Sequence, residues 1–273
     1  MSRPGGLCKA CENPAVPDPA FSTRVPRRLA PNRIARARGA RRGDFVDLTC
    51  SNPTRCGISY PEALLAPLSD PAGRSYDPHP LGLPSAREAV CREVARRGVA
   101  VHPEEVLLTA STSEAYTFLF KLLCNPGDAV LVPVPSYPLF EHLARVEGIA
   151  AVPYELEEDT RWGLDLGAIA QAPPSVRAVV VVHPNNPTGS LVSAQDAAAL
   201  VAVCARRGWA LVADEVFSDY PLEAGAGASL SFAATTGALT FTLGGLSKSV
   251  GLPQLKLAWV VTSGPPALRR AAL

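Results

Sequence analysis

From about residue 85 onward the chain alternates between stretches with a helical hydrophobic period and short runs that are apolar throughout, and that alternation is the signature of a sheet with crossover helices. The four consecutive valines at 179–182 are apolar on both faces, as a parallel strand covered by helices on each side must be. A chain patterned in this way folds as a three-layer α/β/α domain around a mostly parallel central sheet. Strands are predicted at 106–109, 129–132, 150–154, 178–182, 209–213, 239–243 and 257–262, and helices at 85–97, 113–124, 137–147, 166–171 and 193–207. The first helix is expected to open on a capping box, Ser85 with Glu88, and to stop at Gly98.

Several function classes fall away on composition. With 26 Lys+Arg against 25 Asp+Glu the net charge is +1, so nucleic acid is not a partner by bulk charge. At 47% hydrophobic and 19% charged residues most of the chain can bury a core, which excludes disorder. No apolar run approaches the ~18 residues of a membrane helix. The N-terminus carries Arg3, Pro4 and Gly5 without an apolar stretch after them, which points to a reducing, cytoplasmic setting. Seven scattered cysteines do not make a disulfide framework. Cys8 and Cys11 form a C-x-x-C pair, read as a zinc half-site or as incidental thiols, and the Cys50 to Cys56 spacing fits zinc poorly, so no metal is expected. Residues 1–45 form a separate basic arm rich in proline, with eight arginines between Arg24 and Arg42. Its charge suits an acidic partner or a transit peptide, or else a solvated or subunit-clasping arm. Residues 46–273 make up the folded domain.

In open α/β sheets ligands gather at the carboxyl ends of the strands, so the residues just after each strand are the informative ones. Ser111, Thr112 and Ser113 follow the strand at 106–109 and open a helix, which suits a phosphate cradle or ordinary N-caps equally. A turn-rich loop at 183–189 carries Asn185 and Asn186, whose amides can reach whatever lies above the sheet. Asp214 ends the strand at 209–213; a carboxylate buried there faces a positive partner, or else serves as an N-cap or in an ion pair. Lys248 sits in a glycine-rich bend after the strand at 239–243, and a partly desolvated lysine in such a place is a candidate imine-forming nucleophile. With 4 Lys against 22 Arg in the chain, a lysine position is the rarer signal.

In that order, N-N-P-T-G at 185–189, D-E-V-F at 214–217 and L-S-K-x-x-G-L-P at 246–253 closely resemble the class I/II aminotransferases, the fold-type I enzymes that depend on pyridoxal 5′-phosphate. The resemblance runs from about Phe21 to the last residue. It implies that Lys248 forms the internal Schiff base and that Asp214 partners the pyridinium nitrogen. It further implies that Asn186 bonds the cofactor's phenolic oxygen, that Tyr137 stacks on its ring, and that Ser111, Thr112, Ser113 and Lys256 hold its phosphate. Tyr76 looks like the tyrosine that reaches a phosphate across a homodimer interface. Catalytic roles then fall to Lys248, Asp214 and Tyr137, and the implied activity is ping-pong transfer of an amino group between an amino acid and a 2-oxo acid.

The pattern is not matched throughout. Phe217 stands where many relatives carry a tyrosine, Gly245 where a phosphate-binding serine is common, and Lys256 where arginine is usual, which exchanges a bidentate fork for a point charge. The family continues past the last strands into a small domain with a carboxylate-clamping arginine. Here the chain ends at Arg269, Arg270, Ala271, Ala272 and Leu273, so the expectation is a large domain with the small one largely missing. Two alternatives stay open on the sequence: a lyase or decarboxylase on the same fold, or a non-catalytic module that binds pyridoxal phosphate.

Overall fold

The computed structural model describes residues 21–26, 30–43, 46, 52–220 and 231–273. The Cys8/Cys11 pair, Cys50 and all of the first twenty residues of the arm lie outside them. Two compact units divide the chain, Met1–Thr49 and Cys50–Leu273. In the first, helix α1 (Arg33–Ala40) is capped by Asn32, whose Oδ1 accepts from Ala35 N at 2.8 Å.

The second unit holds one eight-stranded sheet and its helices. In chain order these are α2 (Pro84–Ala95), β1 (Val106–Thr109), α3 (Thr112–Leu123), β2 (Ala129–Val134), α4 (Phe140–Glu147), β3 (Ala150–Glu157), β4 (Gly163–Leu164) and α5 (Leu166–Ala170). They continue as β5 (Val176–Val182), α6 (Ala194–Arg207), β6 (Ala210–Asp214), β7 (Thr240–Gly245), α7 (Leu246–Ser249), β8 (Ala258–Ser263) and α8 (Pro266–Ala272). The strand order is β1-β8-β7-β6-β5-β2-β3-β4. The pairs β2/β3, β2/β5, β5/β6 and β6/β7 are parallel, whereas β8 runs antiparallel to both neighbours, β1 and β7. The carboxyl ends of β1, β2, β5, β6 and β7 therefore share one edge of the sheet, together with the start of β8. Order reverses between β2 and β5, since β3 and β4 lie to one side of that pair and β6 and β7 to the other. Such a reversal opens a crevice at the strand tips.

Alternate strand residues serve opposite layers. Val130, Val132, Val180, Val212 and Leu243 pack with Ala115, Tyr116, Leu119 and Phe120 of α3 and with Phe140 and Ala144 of α4. Val179, Val181, Leu211 and Ala213 pack on the other face with Leu200 and Val203 of α6 and Ile169 of α5. A third cluster joins Val90 and Val94 of α2 to Val106, Trp259 and Val261 at the β1/β8 edge. All three layers are thus filled, as the pattern of the strands requires. No described helix is long and apolar enough to cross a membrane.

Two local expectations are corrected. Helix α2 starts one residue earlier, with Leu83 as N-cap and no side-chain cap bond, because Pro84 has the fixed φ suited to the first helical position and leaves Ser85 inside the helix. Helix α4 starts at Phe140 instead of residue 137, since Pro138 disfavours a helical conformation at Tyr137. Tyr137 is left in the turn at the tip of β2, facing the crevice.

Candidate active site

The loop from β1 into α3 is fixed by its own side chains. Ser111 Oγ accepts from Glu114 N at 3.1 Å as the N-cap, and Glu114 Oε2 accepts from Ala110 N at 2.6 Å. The Ser111 hydroxyl is thereby used in capping, while Thr112 lines the cavity and Ser113 lies near enough to the Tyr137 phenol to draw its pKa down. The first turn of α3 keeps free N–H groups and the positive end of the helix dipole.

Asn185 and Asn186 play different parts. Asn185 Nδ2 donates to Pro135 O at 3.0 Å and to Thr188 Oγ1 at 2.9 Å, and its Oδ1 accepts from Ser136 Oγ at 2.8 Å. It ties the tip of β5 to the tip of β2. Asn186 is left to line the cavity, with Tyr137 also on its wall.

Asp214, 5% exposed, closes β6 on the face covered by α3. Its Oδ2 accepts from Tyr116 Oη at 3.0 Å and its Oδ1 from Val216 N at 3.2 Å. Burial raises the carboxyl above the usual range, and the Val216 N–H, the Tyr116 hydroxyl and the Lys248 charge draw it back in that order. Burial and the Asp214 charge in turn raise the Tyr137 phenol, against the pull of nearby Ser113.

Lys248 sits on the single turn α7 after Gly244 and Gly245. A Cβ at Gly244 would meet the Trp259 indole at 2.5 Å, so only glycine lets β8 pack this closely against β7. Downstream, Gly251 has φ +64° and its carbonyl accepts from Tyr60 Oη at 2.7 Å, which pins the bend that follows the lysine. The cavity, about 590 Å³ with its open mouth, is lined by Thr112, Tyr137, Asn186, Asp214, Phe217 and Lys248 among others.

Of the residues singled out in the sequence, Thr112, Tyr137, Asn186, Asp214 and Lys248 meet at this cavity, and Ser113 joins through Tyr137. Ser111 caps α3 instead. Lys256, in the left-handed region at φ 53°, is exposed and outside the lining, and Tyr76 is 92% exposed. Tyr116, read from sequence only as part of a helix, is the residue the motifs did not indicate. Its position one helical turn after Thr112, on the same face, is the signal that could have found it.

Glu215, next to Asp214, turns to the opposite layer. Its carboxylate accepts from Ser231 Oγ at 2.8 Å and Phe232 N at 2.7 Å. Burial raises it to about 7, against the pull of those two donors and of the Arg97 charge. The folded chain therefore binds this proton more tightly than the unfolded chain, so stability is lost as pH climbs from the usual carboxyl range through about 7, by up to about 3 kcal/mol. Glu215→Gln keeps an acceptor for Phe232 N and removes the charge. Urea midpoints should then favour the variant increasingly between pH 5 and pH 8; an equal difference at both would contradict this assignment.

An acid at one strand tip and a primary amine at the next thus lie over a crevice flanked by a helix N-terminus. Residues 63–272 match the family described as Aminotransferase class I and II, and the chain belongs to that family, whose members depend on pyridoxal 5′-phosphate. It is 31% identical over 225 residues to the glutamate-pyruvate aminotransferase AlaA of Haemophilus influenzae, covering 81% of this chain and 55% of the relative. The crystal structure of an aminotransferase from Escherichia coli superposes with a TM-score of 0.70 at 29% identity, over 81% of this chain and 57% of that one. An alanine aminotransferase from Pyrococcus furiosus superposes with a TM-score of 0.66 at 28% identity, over 74% and 52%. The chain spans about half the length of the curated relatives it matches.

Proposed function

We propose that this chain carries the cofactor half of a pyridoxal-phosphate-dependent aminotransferase that moves an amino group between an amino acid and a 2-oxo acid. The observation that carries the proposal is the pairing of buried Asp214 with Lys248 across one cavity, close enough for the lysine charge to lower the carboxyl's pKa. The donor set fits the cofactor. A buried carboxylate raised by desolvation wants a cation beside it, and a protonated ring nitrogen is one.

Bound pyridoxal 5′-phosphate supplies an aldehyde and a ring that accepts an electron pair. Lys248 Nζ would hold its aldehyde carbon, Asp214 would keep the ring nitrogen protonated, and Asn186 would donate to the phenolic oxygen. Tyr137 would flank the ring from the tip of β2, beside Ser113. Thr112, Ser113 and the free N–H groups of α3 would receive the phosphate. Ser111 contributes there by capping that helix. Lys256, exposed two residues before Ala258 of the cavity wall, adds positive charge at the same end of the sheet. The Lys248 amine, when free, would be the base in the lining that moves the proton at the substrate α-carbon.

We propose with this a cytoplasmic homodimer. The free thiols of Cys56, Cys91, Cys124 and Cys204 suit a reducing compartment, and exposed Tyr76 is available to a neighbouring copy. The name of the Haemophilus relative makes glutamate with pyruvate the first substrate pair to try. The test is the half-reaction: chain loaded with pyridoxal phosphate is mixed with glutamate or alanine, and bound cofactor is identified by mass. Conversion to the pyridoxamine form is expected, with the matching 2-oxo acid in equal amount. Release of ammonia or carbon dioxide without it would favour a lyase or decarboxylase instead.

A further inference from the structure

We propose that Phe217 and Tyr220 form an aromatic bracket that positions Lys248 from two sides, Phe217 against its ammonium and Tyr220 on its backbone. The Lys248 Nζ lies 5.5 Å from the Phe217 ring centroid, within the range in which a cation is drawn to an aromatic face. Tyr220 Oη donates to Lys248 O at 2.7 Å, 28 residues along the chain. The same carbonyl accepts from Gly251 N at 3.2 Å, so the tyrosine adds to the turn that ends α7 a second, external hold. The two rings also touch each other, with centroids 6.5 Å apart at 72°.

The segment that presents the bracket is itself tied down. Ser218 N donates to Glu215 O at 3.0 Å and Tyr220 N to Phe217 O at 2.9 Å, two turns in succession after β6. Asp219 meets the Arg97 guanidinium at 3.4 Å, and Arg97 follows α2. This segment leads out of the strand that ends in Asp214, so one stretch of chain sets both the acid and the orientation of the amine opposite it. Phenylalanine at 217 offers the lysine its ring face and carries no hydroxyl. Both residues act through Lys248 and are positioning residues.

The bracket rests on the reading of Lys248 as the cofactor amine, and the two are tested separately. Purified chain without added cofactor is reductively methylated with formaldehyde and cyanoborohydride, and peptide mass spectrometry gives the rate at Lys248 relative to exposed Lys256. Phe217→Leu should raise that ratio about three- to tenfold, because the aromatic face no longer covers and holds one side of the lysine nitrogen. Phe217→Tyr, which restores the ring, should match wild type. Tyr220→Phe keeps the ring packing and loses the bond to the carbonyl, with an expected rise of about two- to fivefold. Unchanged ratios in Phe217→Leu and Tyr220→Phe would overturn the bracket, as would a Phe217→Tyr ratio equal to that of Phe217→Leu. In parallel, pyridoxal phosphate with borohydride should mark Lys248 of wild type. If it does not, the cofactor reading falls while the methylation ratios still decide the bracket.

Discussion

Lys248→Ala should abolish covalent fixation of pyridoxal phosphate. After borohydride reduction, wild-type chain should carry the added mass on the peptide containing Lys248, and the variant none there. The effect should be all or nothing because, among the described residues, Lys248 is the only lysine in the cavity wall. Of the other lysines among the described residues, Lys121 is on α3 in a bond to Glu147 and Lys256 is exposed. Removing the side chain leaves Thr112, Asn186, Tyr137 and Asp214 in place, so the variant should still bind the cofactor reversibly, detected by equilibrium dialysis. It should lack the half-reaction altogether, since the lining then holds no amine to carry the proton. The fold has little reason to suffer: α7 is one turn, and Tyr220 and Gly251 bond the backbone carbonyl at 248 and not the side chain. Undiminished labelling in Lys248→Ala, or labelling of wild type at Lys121 or Lys256 instead, would remove the chemical basis of the proposed function.

Much of the architecture was readable because buried parallel strands carry their own marker. Val180 and its neighbours are apolar on both faces, and the strand sits where that requires, between two layers. What periodicity lacks is direction. Nothing in residues 257–262 says that β8 runs antiparallel, yet that reversal is what brings Ala258 to the cavity. Strand β4 spans two residues and has no period to read. At the site, the strand-tip rule found Asp214, Asn186 and Lys248, since a short loop after a strand leaves few places for a side chain to go. It could not separate Asn185 from Asn186, because that choice is made by Pro135 and Ser136 on a different strand tip. It also missed Tyr116, whose hydroxyl acts from a helix interior that pattern reading assigns wholly to the core. Lys256 is named a phosphate ligand by the family resemblance alone; it lies in a left-handed turn with its side chain exposed, outside the cavity lining.

Asp214→Asn should move stability and chemistry in opposite directions. Without cofactor, the carboxylate is held in a site that raises its pKa by burial, so the folded chain favours the protonated form and loses stability as pH rises above the usual carboxyl range. Asparagine removes that penalty at neutral pH. Its carbonyl oxygen can accept from Val216 N, and its amide can donate to the Tyr116 hydroxyl, so neither neighbour is left without a partner. The cofactor-free variant should therefore melt higher than wild type at pH 7, by about 2–4 °C for each kcal/mol regained in a domain of this size, and the gain should shrink toward pH 4. With cofactor the balance inverts. In the proposed function the ring nitrogen would lose the anion that keeps it protonated, and unpairing such a buried charge costs about 3–5 kcal/mol, so a half-reaction slower by about two to four orders of magnitude is expected. Tyr116→Phe supplies the intermediate case, since it removes one donor and keeps the charge; a loss of about tenfold is expected. Scanning calorimetry of the cofactor-free forms and stopped-flow half-reactions of the loaded forms read the two effects independently. An Asp214→Asn chain that melts lower without cofactor would mean the carboxylate is structural, and one that reacts at the wild-type rate would mean the ring nitrogen finds its proton elsewhere.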